Sequence, residues 1–532
     1  MIKRPNILCI IIDCARSDVW LPAGHPSLTP NFDRLRRSGI TLPTAIVEQS
    51  ATSPNFATLL TGLYSPRHGV RKILGQTLRP DVRLLSETLG ALGYHAYAEV
   101  TGPLIPDIGF PRGFEGYAYR APRDYLHTAW GDEWVSRLRQ GGYKAPWFIL
   151  LHLWELHLPR QVVPPLAGRP GGQERYGAAT ASLDAQLGRV FEAAGDETFL
   201  IVTGDHGEKT ADETFRPGTA VDYIRGYLGI EKARGPDLSH LAAIAGPSAL
   251  HHLFAEFLSP ALEEAGREMR RPAPSFSRIR RFGDGLRLLR LLPRFRPRDL
   301  FVLREPVKLT KWLHESGLLD GGRSREKVRR FLGSVRPGTL EEMFARLMIS
   351  SYKKNYEEGH SLHVYDYLVK VPLVLRWKGH LPAGETVPRM VRQPDILPTV
   401  LDLLGARGDG GEELDGRSFK PLFEGRSWAP EPAFLSTGGY LSQLEINGVR
   451  TEDWKYSFGP GNRELPEELY DLQGDPGETL NLAAARPDEC SRLRSIAGTF
   501  IRSREAPPPP GAPGEDAWTD VHSRLKALGY ID

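Results

Sequence analysis

The chain has 532 residues, 40% hydrophobic and 25% charged, which is the make-up of a globular protein and far exceeds one minimal core. Collagen-like, coiled-coil and largely disordered classes are excluded, and three cysteines (Cys9, Cys14 and Cys490) cannot build a disulfide framework. The net charge of +3 conceals an asymmetry: residues 267–336 carry 20 Lys+Arg against 7 Asp+Glu, so the remainder is acidic.

In chain order, the first apolar run, Asn6 through Ile12, predicts a strand buried on both faces. It is too short for a signal segment and ends in charged residues. With no run near the roughly 20 apolar residues that span a bilayer, the reading is a cytoplasmic protein. Similar runs follow at Trp147–Leu151, Phe199–Val202 and Val371–Leu375. Helices are expected between them, including Pro30–Ser38, entered from Thr29 as N-cap with proline at the first position, and Leu84–Leu92. Strands alternating with helices predict a largely parallel sheet covered on both sides, with chemistry at the carboxyl ends of its strands. Residues 209–354 lack such runs and are rich in Arg, Leu and Pro, which predicts a helical insertion. From about residue 430 short strand-like pieces appear, then a Pro507–Pro510 spacer before a last helix.

The polar residues that close the apolar runs are the candidate site. Asp13 ends the first and Asp205-His206-Gly207-Glu208 ends another, so two acidic residues and a histidine could converge on a divalent cation; the plainer alternative is helix caps and turns. Thr52, followed by Ser53-Pro54 and a helical run to Gly62, places a hydroxyl where a helix N-terminus favours an anionic ester. A metal beside it would lower its pKa and make it a nucleophile, against the alternative of a simple N-cap.

These segments together resemble the alkaline phosphatase/sulfatase superfamily. Thr52 to Gly62 resembles the sulfatase signature, in which a Cys or Ser, any residue and Pro lead into a helix ending Leu-Leu-Thr-Gly. Pro5 through Asp13 resembles the first strand and metal aspartate, and Asp205-His206-Gly207 the second metal pair. Trp154 through Pro159 and Gly359-His360 through Leu373 resemble substrate-binding segments; Arg392–Gly405 and Leu469–Leu482 resemble the C-terminal portion. The resemblance implies a three-layer α/β/α sandwich around a mostly parallel sheet, with the helical basic insertion and a small C-terminal α+β subdomain. The catalytic domain would comprise residues 1–208 and 355–430, the insertion 209–354, the C-terminal subdomain 431–505, and the Pro-rich linker with terminal helix 506–532.

Carried over residue by residue, the resemblance implies one divalent metal ion (Mn, Zn, Ca or Mg) on Asp13, Asp205, His206 and the Thr52 oxygen, with Cys14 as a possible further contact. His157 and His360 would hold the transferring group, and one of them would protonate the leaving alcohol. Thr101 and Lys72 would be further substrate contacts, a surface lysine being the alternative for Lys72; Arg16 reads as structural. His152 and His363 read as structural histidines that could alternatively add to a metal site.

The departures set the expected chemistry. Thr52 stands where the family has the Cys or Ser that becomes formylglycine, and its β-methyl group bars that aldehyde, so none is expected. Phe56 replaces the Arg usual four residues on, and Cys14 replaces an aspartate. A sulfated threonine has no aldehyde exit, whereas phosphothreonine can be hydrolysed. The expectation is therefore a phosphodiesterase or phosphonate monoester hydrolase acting through Thr52. Alternatives are a sulfuric ester hydrolase, a phospho-group transferase to a glycan or lipid, and a degenerate binding protein. The substrate would be a small-molecule, glycan or lipid anionic ester. Residues 267–336 read as a lid or as attracted to an anionic membrane surface; no nucleic-acid motif is present.

Overall fold

The computed structural model describes residues 4–22, 27–73, 76–158, 160–163, 173–210, 360, 363–406, 413–437, 446–459 and 467–504. Apart from Lys209 and Thr210 the expected basic insertion, with its lid and membrane alternatives, lies outside the described residues, as do the proline spacer and the terminal helix.

The four apolar runs are strands, as the lack of polar positions predicts. They are β1 (Ile7–Ile12), β5 (Trp147–Leu153), β6 (Phe199–Gly204) and β7 (Lys370–Arg376). The sequence reading did not mark β2 (Ile40–Ile46), β3 (His95–Val100), β4 (Gly116–Tyr119) or the two-residue strands β8 (Glu385–Thr386) and β9 (Val391–Arg392). Together these nine form one sheet in the order β4-β3-β5-β1-β6-β7-β2-β8, with β9 also on β2. Strand β7 runs antiparallel to both neighbours, β2 and β6; the other pairings are parallel, so "largely parallel" holds with one reversed strand.

All six residues of β1 are at most 1% exposed, and each fully buried aliphatic side chain contributes roughly 2 kcal/mol. Leu8, Ile10 and Ile12 share one core cluster with side chains of α1 (Pro30–Arg37), α4 (Ala129–Arg139) and α5 (Gln173–Ala194), such as Phe32, Trp134 and Leu187. The other face buries Ile7, Cys9 and Ile11, and α2 (Thr52–Thr61) and α3 (Leu85–Ala91) lie in contact with each other. This is the α/β sandwich expected. At the start of α1, Thr29 holds the N-cap position but its side chain does not cap. Asp184 of α5 accepts the backbone N–H groups of Asn31 and Phe32 at 2.9 and 2.8 Å instead. A carboxylate against free N–H groups at a helix start serves better than a hydroxyl.

A second, antiparallel sheet of β10 (Ala433–Ser436), β11 (Asn447–Arg450), β12 (Trp454–Phe458) and β13 (Glu468–Asp471) packs against α6 (Pro487–Arg504) through Val449, Tyr456 and Leu493. A buried charge cluster fastens it to the segment entering β7. Asp366 pairs with Lys455 at 2.5 Å and Arg450 at 3.1 Å, and Lys455 also meets Glu478 at 2.7 Å. Burial works against the Asp366 carboxylate, yet the Lys455 and Arg450 charges hold it below the usual range, while burial pushes Glu478 up.

Breaking a buried pair strands the partner charge, so Asp366→Asn should destabilise the fold by about 3 kcal/mol in denaturant unfolding. Because the folded-state carboxyl is depressed, the difference from wild type should be full at neutral pH and shrink as pH falls below about 4. An unchanged midpoint at pH 7 would refute this account of the junction.

Candidate active site

Register places the chemistry. Ile12 stands opposite Leu153 on β5 and Gly204 on β6, so three adjacent strands end at one level. Asp13 follows directly, with its N–H on the Leu153 carbonyl at 2.9 Å, and Asp205 follows Gly204. Helix α2 starts at the same place: Ala51 is its N-cap and Thr52 its first residue, so Thr52 is not the N-cap of the simpler reading.

The Thr52 hydroxyl donates to Asp13 Oδ2 at 3.1 Å and lies 3.3 Å from His206 Nε2. Asp13, Thr52, Asp205 and His206 are all fully buried. One donor atom each from Asp13, Asp205 and His206 lie within 4.8 Å of one another, and the same is true of Cys14, His206 and His360. His206 Nδ1 is 2.8 Å from the Gly207 carbonyl, which fixes that nitrogen as the N–H and leaves the Nε2 lone pair facing the cluster. Asp205 Oδ2 has no hydrogen-bond partner among the described residues. A buried oxygen without a donor, beside a lone-pair nitrogen and a second carboxylate, is the setting a divalent cation fits.

The electrostatics agree. Burial and the Asp13 charge push Asp205 well above the carboxylate range. Burial acts the same way on Asp13, but His152, His206 and His157 hold it below its usual value. Desolvation lowers His206 and His157 to about 4 each.

Two glycines set close approaches. A Cβ on Gly207 would meet the Tyr367 carbonyl oxygen at 2.0 Å, so only glycine lets this loop lie against the segment entering β7. Gly102, at φ +69°, leaves room for Trp154, whose ring would be 2.5 Å from an added Cβ and which stacks on His157 at 4.0 Å.

The sequence matches the model described as "Sulfatase" over residues 5–240 and that described as "N-sulphoglucosamine sulphohydrolase, C-terminal" over residues 360–492. The chain contains a sulfatase-family domain. It is similar to "Arylsulfatase K" of Danio rerio, 32% identical over 155 residues that make up 28% of this chain and 28% of that protein. It is also similar to "Steryl-sulfatase" of Mus musculus, 24% identical over 564 residues, 95% of this chain and 83% of that one. The chain therefore matches little more than a quarter of the length of the first relative and most of the second. The crystal structure of the phosphonate monoester hydrolase of Agrobacterium radiobacter has the same fold (TM-score 0.56, 18% identity, 94% of this chain and 96% of that one).

Within the sulfatase-family framework, most of the expected site residues meet, and others are accounted for elsewhere. His157 and His360 rings lie 5.4 Å apart, and His360 lies 4.3 Å from His206. Cys14 Sγ is 2.7 Å from Asp13 Oδ1 and 3.7 Å from His360 Nδ1; burial and the surrounding carboxylates push its thiol well up. Thr101 is buried with its hydroxyl donated to the Arg120 carbonyl at 3.0 Å, and Lys72 is half-buried in the loop after Val70. Arg16 forks onto Asp18 at 3.0 and 2.7 Å and reaches the Glu208 carbonyl, a brace for the loop as a structural arginine should be. His363 sits against Tyr365. Phe56 packs edge-on against His152 at 5.0 Å, so the position of the lost Arg is filled by an apolar contact.

Three residues at the site, Glu208, Arg160 and Asn55, have no assignment in the sequence reading, which gives His152 as a structural histidine that could add to a metal site. His152 Nε2 is 3.5 Å from Asp13 Oδ2, and neither ring nitrogen has a hydrogen-bond partner among the described residues. Glu208 is fully buried 3.5 Å from His360 Nδ1 and 3.9 Å from Arg160. Although burial opposes each charge, the two groups stabilise one another, lowering Glu208 and raising His360. Asn55 donates to the Asp205 and Gln49 carbonyls at 2.7 and 2.5 Å, tying α2 to the Asp205 loop. The available signal was adjacency: Glu208 shares the loop of Asp205, and Asn55 lies one helical turn from Thr52.

Two buried carboxylates side by side cost stability until a cation joins them. A divalent ion at a hundredfold excess over its Kd should raise unfolding free energy by about 2.7 kcal/mol, read by calorimetry against chelated protein. Asp205→Asn should stabilise the chelated protein and abolish that increment. A destabilised chelated variant, or an undiminished increment, would contradict the assignment.

Proposed function

We propose that the protein is a metal-dependent ester hydrolase that cleaves a phosphoester, a phosphodiester or phosphonate monoester, through a covalent intermediate on Thr52. The observation that carries this reading is the Thr52 hydroxyl, buried at the start of α2, within 3.3 Å of both Asp13 Oδ2 and His206 Nε2.

Asp13, Asp205, His206 and the Thr52 oxygen would hold one divalent ion, which supplies Lewis acidity and eases loss of the Thr52 proton. Thr52 Oγ1 already directs its hydrogen to Asp13 Oδ2. Its attack at phosphorus forms a P–O bond to threonine as the bond to the leaving oxygen breaks, and the positive end of the α2 dipole favours the developing charge. His360, whose protonated form Glu208 favours, carries a proton to the leaving oxygen, and His157, held by its Nδ1 contact to the Leu158 carbonyl at 2.8 Å and by Trp154, flanks the site and orients the transferring group. Water then cleaves the phosphothreonine and regenerates the hydroxyl. The substrate class is a small-molecule, glycan or lipid anionic ester.

The names of the sequence relatives favour a second reading, hydrolysis of a sulfuric ester. Against it stands Thr52, whose β-methyl group bars formylglycine and leaves a sulfothreonine without an easy exit.

The assay compares manganese- or zinc-loaded protein with Thr52→Ala on aryl phosphodiester, phosphonate monoester, phosphomonoester and sulfate substrates. Phosphoester turnover should fall at least about a thousandfold in the variant, the scale expected when a nucleophile is deleted. Sulfate turnover that disappears with Thr52, without phosphoester turnover, would establish the second reading instead.

A further inference from the structure

Cys14 takes no part in the reaction as written, yet it stands inside the cluster. Of the three cysteines, Cys9 is enclosed in β1 and Cys490 in the core beneath the second sheet, where a buried thiol acts as a small hydrophobe. Cys14 differs. Its backbone is left-handed, at φ +59°, a conformation disfavoured outside glycine, and its N–H donates to Asp205 Oδ1 at 3.3 Å. That turn puts Sγ among nitrogen and oxygen donors: Asp13 Oδ1 at 2.7 Å and His360 Nδ1 at 3.7 Å. Strained backbone held beside a site is a recurrent mark of function.

A second observation points independently to a cation. Asp205 Oδ2, fully buried, has no hydrogen-bond partner among the described residues. The oxygen-rich triangle of Asp13, Asp205 and His206 and the softer one of Cys14, His206 and His360 share His206. Its Nδ1 is committed to the Gly207 carbonyl, so only Nε2 can bind metal, and one lone pair serves one ion. The two triangles are therefore two sides of a single centre.

We infer that Cys14 Sγ is a ligand of the same ion that Asp13, Asp205 and His206 hold, and that it makes the centre select zinc over calcium or magnesium. Thiolate sulfur favours zinc, whereas calcium and magnesium take oxygen donors. Formation of the metal–sulfur bond releases the thiol proton to solvent. The inference rests on the metal-centre reading above and specifies its ion.

Cobalt(II), a spectroscopic substitute for zinc, tests it. The metal-free full-length protein is loaded with one equivalent, and bound cobalt is counted separately from the absorption spectrum. The expected result is stoichiometric binding with a near-ultraviolet thiolate-to-cobalt charge-transfer band. That band should vanish in Cys14→Ser while cobalt still binds, and survive in Cys9→Ala and Cys490→Ala. In competition, Cys14→Ser should lower the preference for zinc over calcium by roughly tenfold or more, since loss of even an outer partner of a metal ligand acts on that scale. Stoichiometric cobalt without the band, or a band that survives in Cys14→Ser, overturns the role of Cys14 and leaves the metal centre standing. Failure to bind cobalt or zinc at all overturns both. Should Cys14→Ser fail to fold, the wild-type band and its persistence in the other two variants still decide the question.

Discussion

Strand β1 is hydrogen-bonded on both sides, and everything at the site depends on where it ends. Ile12 stands level with Leu153 on one flank and Gly204 on the other, so Asp13 and Asp205 leave the sheet at one height. A slip of one residue would turn Asp13 to the opposite face. The slip is prevented by packing: Leu8, Ile10 and Ile12 fill the core under α1, α4 and α5, while Ile7, Cys9 and Ile11 are buried on the other side. The hydrophobic run that makes the strand therefore also fixes the spacing of the carboxylates beyond it.

That placement sets stability against function. Asp13, Asp205 and Glu208 are fully buried with His152, His206 and His360 among them, and each burial is unfavourable without its partners. The histidines offset part of the charge, and Arg160 lies 3.9 Å from Glu208. A cation would satisfy what remains, including the Asp205 oxygen that no described donor reaches. Asn55 and Gly207 hold the arrangement rigid, since α2 is tied to the Asp205 loop and that loop is pressed to the Tyr367 backbone. Rigidity keeps the Thr52 hydroxyl in line with its neighbours before substrate arrives.

Much of this was legible in the residues. Unbroken apolar runs exposed β1, β5, β6 and β7, because strands buried on both faces have no polar alternation to confuse them. The polar residues that closed them led to Asp13, Asp205 and His206, and the hydroxyl ahead of a helix led to Thr52. The reversed direction of β7 was not legible, since an apolar run carries no sign of orientation. Strand β2 was missed because Pro43 and Thr44 interrupt it where it bulges against β7. Glu208, Arg160 and Asn55 escaped because their roles are relational: each matters through a partner distant in sequence. Thr29 and its failed cap show the same lesson from the other side, since Asp184, 153 residues from Asn31, supplies what the local pattern attributed to a neighbour.

The central claim is that Thr52 carries the transferring group. It is tested most directly by rapid acid quench of the metal-loaded protein during turnover of an isotopically labelled aryl phosphodiester, followed by peptide mass spectrometry. The account predicts a phosphoryl ester on Thr52 that forms and decays within the turnover time. Turnover with no adduct on Thr52, or an adduct on Ser53, would contradict it.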